Sequence, residues 1–128
     1  MKILFDTNLL LWAAEDSDRL PPRARAYITD RNVIPVFSSA SIWEIAIKRG
    51  LGRSDFRVEP RMLRRGLLDS GYMELQIGSM HAIEVDGLPL LHTDPFDRVL
   101  VAQARVEGIL LLTADPLVAD YGDPVELV

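Results

Sequence analysis

The sequence predicts an α/β fold with a mainly parallel central sheet of four or five strands. Short apolar runs that suit buried strands alternate with segments that carry helix start and stop signals. One of these runs, Ile109–Thr113, is apolar almost throughout, which is typical of a central parallel strand covered by helices on both faces. The length of 128 residues corresponds to one domain, which we expect to span residues 1–128.

Two strand–helix units are predicted in the first half of the chain. Lys2–Phe5 is a short apolar run that ends at Asp6, and Thr7 and Asn8 offer capping side chains for a helix that continues to Ala14. Val33–Phe37 is the second strand, and Pro35 indicates a bulge or a strand end because proline has no amide donor. Helices are predicted from Pro21-Pro22 to about Asp30, and from Ser39 to Arg49 with Gly50 as the stop.

The second half continues the alternation and contains the clearest helix. Asp94 is a good N-cap, Pro95 suits the first helical position, and Gly108 ends the helix after Glu107. The other elements are predicted, in order, as a loop over Gly50–Pro60, a helix from Arg61 to about Ser70, a strand at Tyr72–Leu75, a short helix at Ser79–Val85, the strand Ile109–Thr113, a short helix near Pro116–Tyr121, and an edge strand at Val125–Leu127.

Composition excludes several classes of protein. Apolar residues make up 48% and charged residues 26% of the chain, which is ordinary for a globular domain and excludes disorder as its main state. The chain has no cysteine, which excludes a disulfide scaffold, a thiolate zinc site and a catalytic thiol. No apolar stretch is long enough to span a membrane, and Asp6 and Asn8 interrupt the N-terminal apolar region, so that no signal peptide is predicted. We therefore expect a cytoplasmic protein with no membrane partner.

The charges are distributed unevenly. The net charge is −5, yet residues 48–65 carry seven basic side chains against two acidic ones, and residues 66–128 carry two against eleven. This asymmetry suggests a phosphate-binding face beside a carboxylate cluster. A solvated helix face explains the arginine run equally well.

Four acidic residues fall where a parallel sheet binds its ligands. Asp6 ends the first strand, Glu44 lies in the helix after the second strand, Asp97 lies in the first turn of the helix capped by Asp94, and Asp115 follows Ile109–Thr113. Ligands of open α/β sheets bind at the carboxyl ends of the strands. Carboxylates that converge there repel one another unless a cation is present, and hard oxygen ligands favour Mg²⁺ or Mn²⁺.

Each acid also has a purely structural interpretation. Asp6 suits a helix cap, Glu44 completes a capping-box pattern with Ser41, and Asp97 at the third helical position is favourable against the helix dipole. Asp115 suits a turn before Pro116. The functional interpretation depends on all four acids arriving at matching places in one chain.

The sequence resembles a known family along nearly its whole length. The motifs are Phe5-Asp6-Thr7-Asn8, then Ser38-Ser39-Ala40-Ser41-Ile42-Trp43-Glu44, then His92 to Ala104 with its Asp-Pro-Phe-Asp-Arg core, and last Leu112-Thr113-Ala114-Asp115. In kind and order they resemble the PIN domain, most closely the VapC-type toxins of toxin–antitoxin pairs. The resemblance implies a three-layer α/β/α fold and an endoribonuclease that depends on Mg²⁺ or Mn²⁺.

The resemblance also implies roles and partners. Asp6, Glu44, Asp97 and Asp115 match the family's acidic quartet of catalytic and metal-binding residues, and Asp94 lies beside it, mainly as a helix cap. Thr7, Asn8, Ser38 and Thr113 are candidates for hydrogen bonds that orient these carboxylates. The partners implied are an RNA substrate, a second copy in a homodimer, and a cognate antitoxin that lays an apolar helix or strand over the first helices.

Other interpretations stay open at this point. A receiver-like or HAD-like phosphotransfer domain also places an Asp after its first strand, although Asn8 stands where the HAD pattern has a second Asp. A catalytically inactive PIN-like binding module is the third class. His81 and His92 are possible proton shuttles, Arg98 either reaches a phosphate or forms a surface ion pair, Trp43 is expected in the core, and Trp12 marks a partner surface if it is exposed.

Overall fold

A five-stranded, fully parallel sheet forms the centre of the molecule, with the strand order β3-β2-β1-β4-β5. The structure is a computed structural model that describes residues 1–128. The predicted α/β fold with a parallel sheet is confirmed, at the upper end of the expected strand number. In chain order the elements are β1 Lys2–Phe5, α1 Thr7–Ala14, α2 Pro22–Thr29, β2 Ile34–Ser38, α3 Ser39–Gly50, α4 Pro60–Asp69, β3 Met73–Leu75, α5 Ser79–Asp86, α6 Pro95–Glu107, β4 Leu110–Thr113, α7 Pro116–Ala119 and β5 Val125–Leu127.

Two apolar cores lie on opposite faces of the sheet. Because successive side chains of a strand point to opposite faces, Ile3 and Phe5 of β1 enter one core, whereas Leu4 enters the other. Helices α1, α2 and α4 cover the first core, and α6 and α7 cover the second. Helix α3 contributes to both, with Ile45 in the first and Ala40 in the second. The fold therefore has three layers, α/β/α.

The order of the strands creates a crevice between β1 and β4. The chain adds β2 and β3 on one side of β1 and then crosses over to add β4 and β5 on the other side. Such a reversal of direction separates the loops that leave the two neighbouring strands. Asp6 follows β1 and Asp115 follows β4 after one intervening residue, so both acids lie at this crevice.

Pro35 causes no bulge in β2. It pairs in regular register with Ile3 of β1, while β3 pairs with β2 only from Val36 to Ser38. Pro35 thus lies where β2 has a neighbouring strand on one side only. Its missing amide donor therefore costs no hydrogen bond of the sheet. Of the two alternatives for Pro35, a position near the strand end is the one observed.

The N-cap of α1 and the residue that ends α3 differ from the sequence prediction, and the other helix boundaries agree within about two residues. Helix α1 is capped by Asp6, whose side chain accepts the Leu9 amide, and Thr7 and Asn8 are its first two residues. Helix α3 continues through Gly50 and ends near Leu51, and the left-handed residue that follows is Gly52, with φ of 76°. Either glycine could have ended α3, and a side chain at Gly52 would be strained at that angle.

The two tryptophans differ in exposure. Trp43 is 56% exposed and meets the Phe96 ring edge-on at 5.0 Å between centroids, so that the expectation of a core position for Trp43 is wrong. Trp12 is half-buried and packs against the first core. Among the helices, none combines the length and the apolar character that crossing a bilayer requires.

Candidate active site

All four predicted acids line one polar cleft at the carboxyl end of the sheet. The cleft has a volume of about 200 Å³ and contains a single apolar side chain in its lining, that of Phe56. The other lining residues are Asp6, Thr7, Asn8, Glu44, Lys48, Arg53, Asp55, His92, Asp94, Asp97 and Asp115.

Asp6 is buried at the base of the cleft, with both carboxylate oxygens hydrogen-bonded. Its Oδ1 accepts the Leu9 amide at 2.9 Å, and its Oδ2 accepts the hydroxyl of Thr113 at 2.6 Å. Burial raises the pKa of Asp6 to about 6, against the lowering effect of these hydrogen bonds, and the negative charge of Asp97 raises it further. Each oxygen keeps a lone pair that it could donate to a cation.

Glu44 reaches the cleft from the second turn of α3, where it is 5% exposed. The hydroxyl of Thr7 donates to its Oε1 at 2.6 Å and lies 2.9 Å from Oγ of Ser41. Its other oxygen forms an ion pair with Lys48, one turn further along the helix. Ser41, Glu44 and Lys48 are spaced by three and four residues, which places them on one face of α3.

Asp97 lies in the first turn of α6, the helix capped by Asp94. Asp94 accepts the amides of Phe96 and Asp97 at 2.8 Å and 3.2 Å, so that its predicted capping role is confirmed. The Oδ2 of Asp97 lies 2.8 Å from Nε2 of His92. Burial raises the pKa of Asp97 to about 6, the hydrogen bond with His92 lowers it, and the charges of Asp94 and Glu44 raise it further.

Asp115 is the N-cap of the short helix α7, which follows β4. Its Oδ1 accepts the Leu117 amide at 2.9 Å, and its own amide donates to the hydroxyl of Thr113 at 3.0 Å. Thr113 therefore links the backbone of Asp115 to the carboxylate of Asp6. Asp115 can cap α7 through Oδ1 and still offer Oδ2 to a ligand in the cleft.

Two of the four residues expected to orient the carboxylates contact them, namely Thr7 and Thr113. Ser38 does not: it caps α3 through the Ala40 amide and donates to Oε1 of Gln103 at 2.6 Å, within the core. Asn8 lies exposed at the rim of the cleft and makes no hydrogen bond to the acids. Ser38 was expected at the acids because it ends β2, yet its hydroxyl is needed to cap the following helix.

The remaining polar candidates lie mostly outside the cleft. His81 is buried between the Gly78 amide, which donates to Nδ1 at 2.9 Å, and Glu107. The guanidinium of Arg98 donates to the carbonyls of Pro89 and Val85 and to the Tyr121 hydroxyl, and it forms none of the ion pairs of the structure, so the surface ion pair expected for Arg98 is not observed. Of the histidines, only His92 lines the cleft.

Sequence reasoning missed Ser41 as a neighbour of Thr7 and Phe56 as part of the cleft. It placed the basic residues 48–65 beside the carboxylates without singling out Lys48 and Arg53. The spacing of Ser41 and Lys48 from Glu44 was a usable signal, because residues three and four apart share a helix face. Arg53 and Phe56 lie in the turns after α3, where no periodicity indicates which side chains point inward.

The donor set of the cleft fits a hard divalent cation. Asp6 is buried and Asp97 is half-buried, and burial raises the pKa of both. The charge of Asp97 raises the pKa of Asp6 further, and the charges of Asp94 and Glu44 raise that of Asp97 further. Ligand atoms of His92, Asp94 and Asp97 lie within 4.8 Å of one another. Clustered oxygen donors with an excess of negative charge are typical of Mg²⁺ and Mn²⁺ sites.

The fold and the cleft together define a class: an α/β protein with an acidic site at the switch point of a parallel sheet. The sequence matches the profile of the PIN domain over residues 3–123. The chain belongs to the PIN domain family. A comparison with curated proteins finds no significant sequence match.

Solved structures share this fold over the full length of the chain. A chain in the crystal structure of VapBC2 from Rickettsia felis bound to a DNA fragment from their promoter has a TM-score of 0.69 and 15% identity, covering 100% of this chain and 98% of that chain. A chain of a toxin–antitoxin complex from Klebsiella pneumoniae has a TM-score of 0.68 and 17% identity, covering 97% of this chain and 95% of that chain. A chain of DNA-bound VapBC from Salmonella typhimurium has a TM-score of 0.67 and 15% identity, covering 100% of this chain and 97% of that chain.

Proposed function

We propose that this protein is an endoribonuclease that depends on Mg²⁺ or Mn²⁺ and acts in the cytoplasm as the toxin of a toxin–antitoxin pair. The observation that carries the proposal is the convergence of Asp6, Glu44, Asp97 and Asp115 on one cleft of a PIN-family fold. RNA is the substrate that the resemblance to VapC-type toxins implies.

In this proposal the four carboxylates hold the ion. When bound there, a divalent ion would supply positive charge to offset the charge that develops on the phosphate and would lower the pKa of an attacking water molecule. The chain supplies fixed ligands: Thr113 orients Asp6, Thr7 orients Glu44, and His92 contacts Oδ2 of Asp97. Hydrogen bonds of this kind limit the rotation of a carboxylate and so favour one coordination geometry.

An antitoxin partner is supported by a second, apolar cleft. It has a volume of about 650 Å³ and is lined by ten hydrophobic residues from the end of α1, from α2, from α4 and from adjoining segments. Leu20, Ile28 and Met62 are among them. An apolar cleft of this size on the first helices is the surface that we assign to an amphipathic segment of the antitoxin.

A homodimer is supported by exposed apolar side chains near the acidic cleft. Trp43 and Phe96 precede Glu44 and Asp97 in the chain and contact each other. Isolated exposed hydrophobic residues are common, but an exposed tryptophan that packs edge-on against a second aromatic ring is typical of an interface. We assign this surface to a contact with a second copy.

Cleavage of RNA by the purified chain tests the proposal. A labelled single-stranded RNA should be cut in Mg²⁺ or Mn²⁺ and stay intact in EDTA. Cleavage that continues in EDTA contradicts the metal mechanism, and RNA that is bound but stays intact in Mg²⁺ and in Mn²⁺ favours the inactive binding module. Sequencing of RNA ends after induced expression, with and without the neighbouring antitoxin gene, tests the toxin role.

A further inference from the structure

The acidic cleft also has a basic part, formed by Lys48 and Arg53. Lys48 lies in the last turn of α3, and Arg53 lies in the turn that follows. Of the seven basic side chains in residues 48–65, these two line the cleft. The structure thus separates them from Arg49, Arg57, Arg61, Arg64 and Arg65, which the sequence groups with them.

A buried aromatic ring supports both cations. Phe56 is 4% exposed, and its ring centroid lies 4.8 Å from Nζ of Lys48 and 5.3 Å from Cζ of Arg53. Cations are attracted to the face of an aromatic ring. Because the ring is fixed in the core, it restricts the positions of both charged groups and reduces the entropy lost when they bind a ligand.

Both cations keep donors that no protein group accepts. The ammonium group of Lys48 has three protons, and Glu44 is its one hydrogen-bond partner. The guanidinium of Arg53 donates to Asp55 through Nε and Nη2, which leaves Nη1 without a partner. A ligand with several acceptor oxygens could therefore bind both groups without breaking either ion pair.

We propose that Lys48 and Arg53 bind a phosphate of the RNA backbone and position it against the carboxylates. This inference rests on the proposed function and assigns it two further residues. Six carboxylates line the cleft and repel an oligoanion, and Lys48 and Arg53 are the fixed positive charges among its lining residues. Contacts with phosphate set the register of the RNA and carry no sequence specificity.

The test compares RNA binding by variants of the full-length chain in an Asp97→Asn background, in which cleavage should be lost. Fluorescence polarisation of a labelled single-stranded RNA in Mg²⁺ gives Kd and its salt dependence. Lys48→Met and Arg53→Gln should each raise Kd about ten-fold, the effect of losing one charge-assisted hydrogen bond. Each should lower the slope of log Kd against log salt by about 0.7.

Two control variants separate a phosphate contact from a structural role. Lys48→Arg keeps the charge and should restore most of the affinity, and Arg49→Met removes an exposed neighbouring charge outside the cleft and should leave Kd and slope nearly unchanged. Thermal melts verify folding. If Lys48→Met does not fold, the half-exposed Arg53 still carries the test.

The possible results distinguish this inference from the proposed function. If the wild-type chain cleaves RNA while Lys48→Met and Arg53→Gln behave like Arg49→Met in both Kd and slope, the phosphate-binding role is wrong and the nuclease remains. A wild-type chain that neither binds nor cleaves RNA overturns both.

Discussion

The hydroxyl of Thr113 at the end of β4 donates a 2.6 Å hydrogen bond to Oδ2 of Asp6 at the end of β1. Both side chains are buried, and the two strands are neighbours in the sheet. The same hydroxyl accepts the amide of Asp115. One side chain thus fixes two of the four acids across the crevice between β1 and β4.

Replacement of Thr113 by the equally shaped valine should weaken metal binding. Thr113→Val removes the donor that orients Asp6, and the loss of such a supporting contact typically lowers metal affinity by 10- to 100-fold, as an order of magnitude. Mn²⁺ titration by calorimetry measures the effect. Thr93→Val, at an exposed threonine, is the control. Equal affinities in the two variants would mean that the Thr113 hydroxyl serves the fold alone.

The metal-free protein should lose stability as the pH rises through about 6. The pKa of Asp6 and of Asp97 is raised to about 6, whereas in an unfolded chain it is about 4. The folded state therefore binds more protons between these values, so the contribution of these groups is full below about pH 4 and is lost above about pH 6. Urea denaturation in EDTA between about pH 4 and about pH 6 measures how steeply the free energy of unfolding falls with pH. Asp97→Asn should flatten this slope, and an unchanged slope would show that other groups dominate.

Asp97→Asn should also have opposite effects on stability with and without metal. In EDTA at neutral pH the variant should be as stable as the wild type or melt a few degrees higher, because a buried charge near other acids is removed. With Mn²⁺ at a hundredfold excess over Kd the wild type should gain about 2.7 kcal/mol, and the variant should lose most of that gain. A strongly destabilised variant in EDTA would mean that Asp97 serves mainly the first turn of α6.

Replacement of Trp43 by serine should abolish self-association without unfolding the protein. Trp43 is 56% exposed, so the substitution removes a surface contact and little of the core. Sedimentation velocity should give a dimer for the wild type and a monomer for Trp43→Ser, with Leu117→Ser at another exposed apolar position as the control. A wild-type monomer, or a dimer in both variants, would exclude this surface as the interface.

The fold could be predicted because its signals are local. Asp94-Pro95 at the start of α6 and Gly108 at its end define that helix from neighbouring residues alone, and Gly108 adopts the expected left-handed angle, with φ of 66°. The end of α3 was harder to predict, because Gly50 and Gly52 are equally plausible stops and the choice depends on how the following turn packs.

The site residues whose positions are set by the strand order could be predicted from the sequence. The contacts that depend on how side chains pack could not. Asp6 and Asp115 lie at strand ends and Glu44 and Asp97 in the helices that follow β2 and precede β4, so topology brings the four into one cleft. Ser38 occupies an equivalent strand end, but the Ala40 amide and Gln103 take its hydroxyl. Trp43 adjoins Glu44 on α3, yet it is exposed and does not line the cleft. Its exposure depends on which side of α3 the neighbouring elements cover.

Metal-dependent RNA cleavage by the carboxylate cleft, as proposed above, can be tested by one matched comparison of variants. The rate of RNA cleavage is measured in Mn²⁺ for the wild type, for Asp97→Asn in the cleft, and for Asp69→Asn, an exposed acid at the end of α4 outside the cleft. We expect wild-type rates for Asp69→Asn and loss of cleavage for Asp97→Asn. Full cleavage by Asp97→Asn would contradict the account.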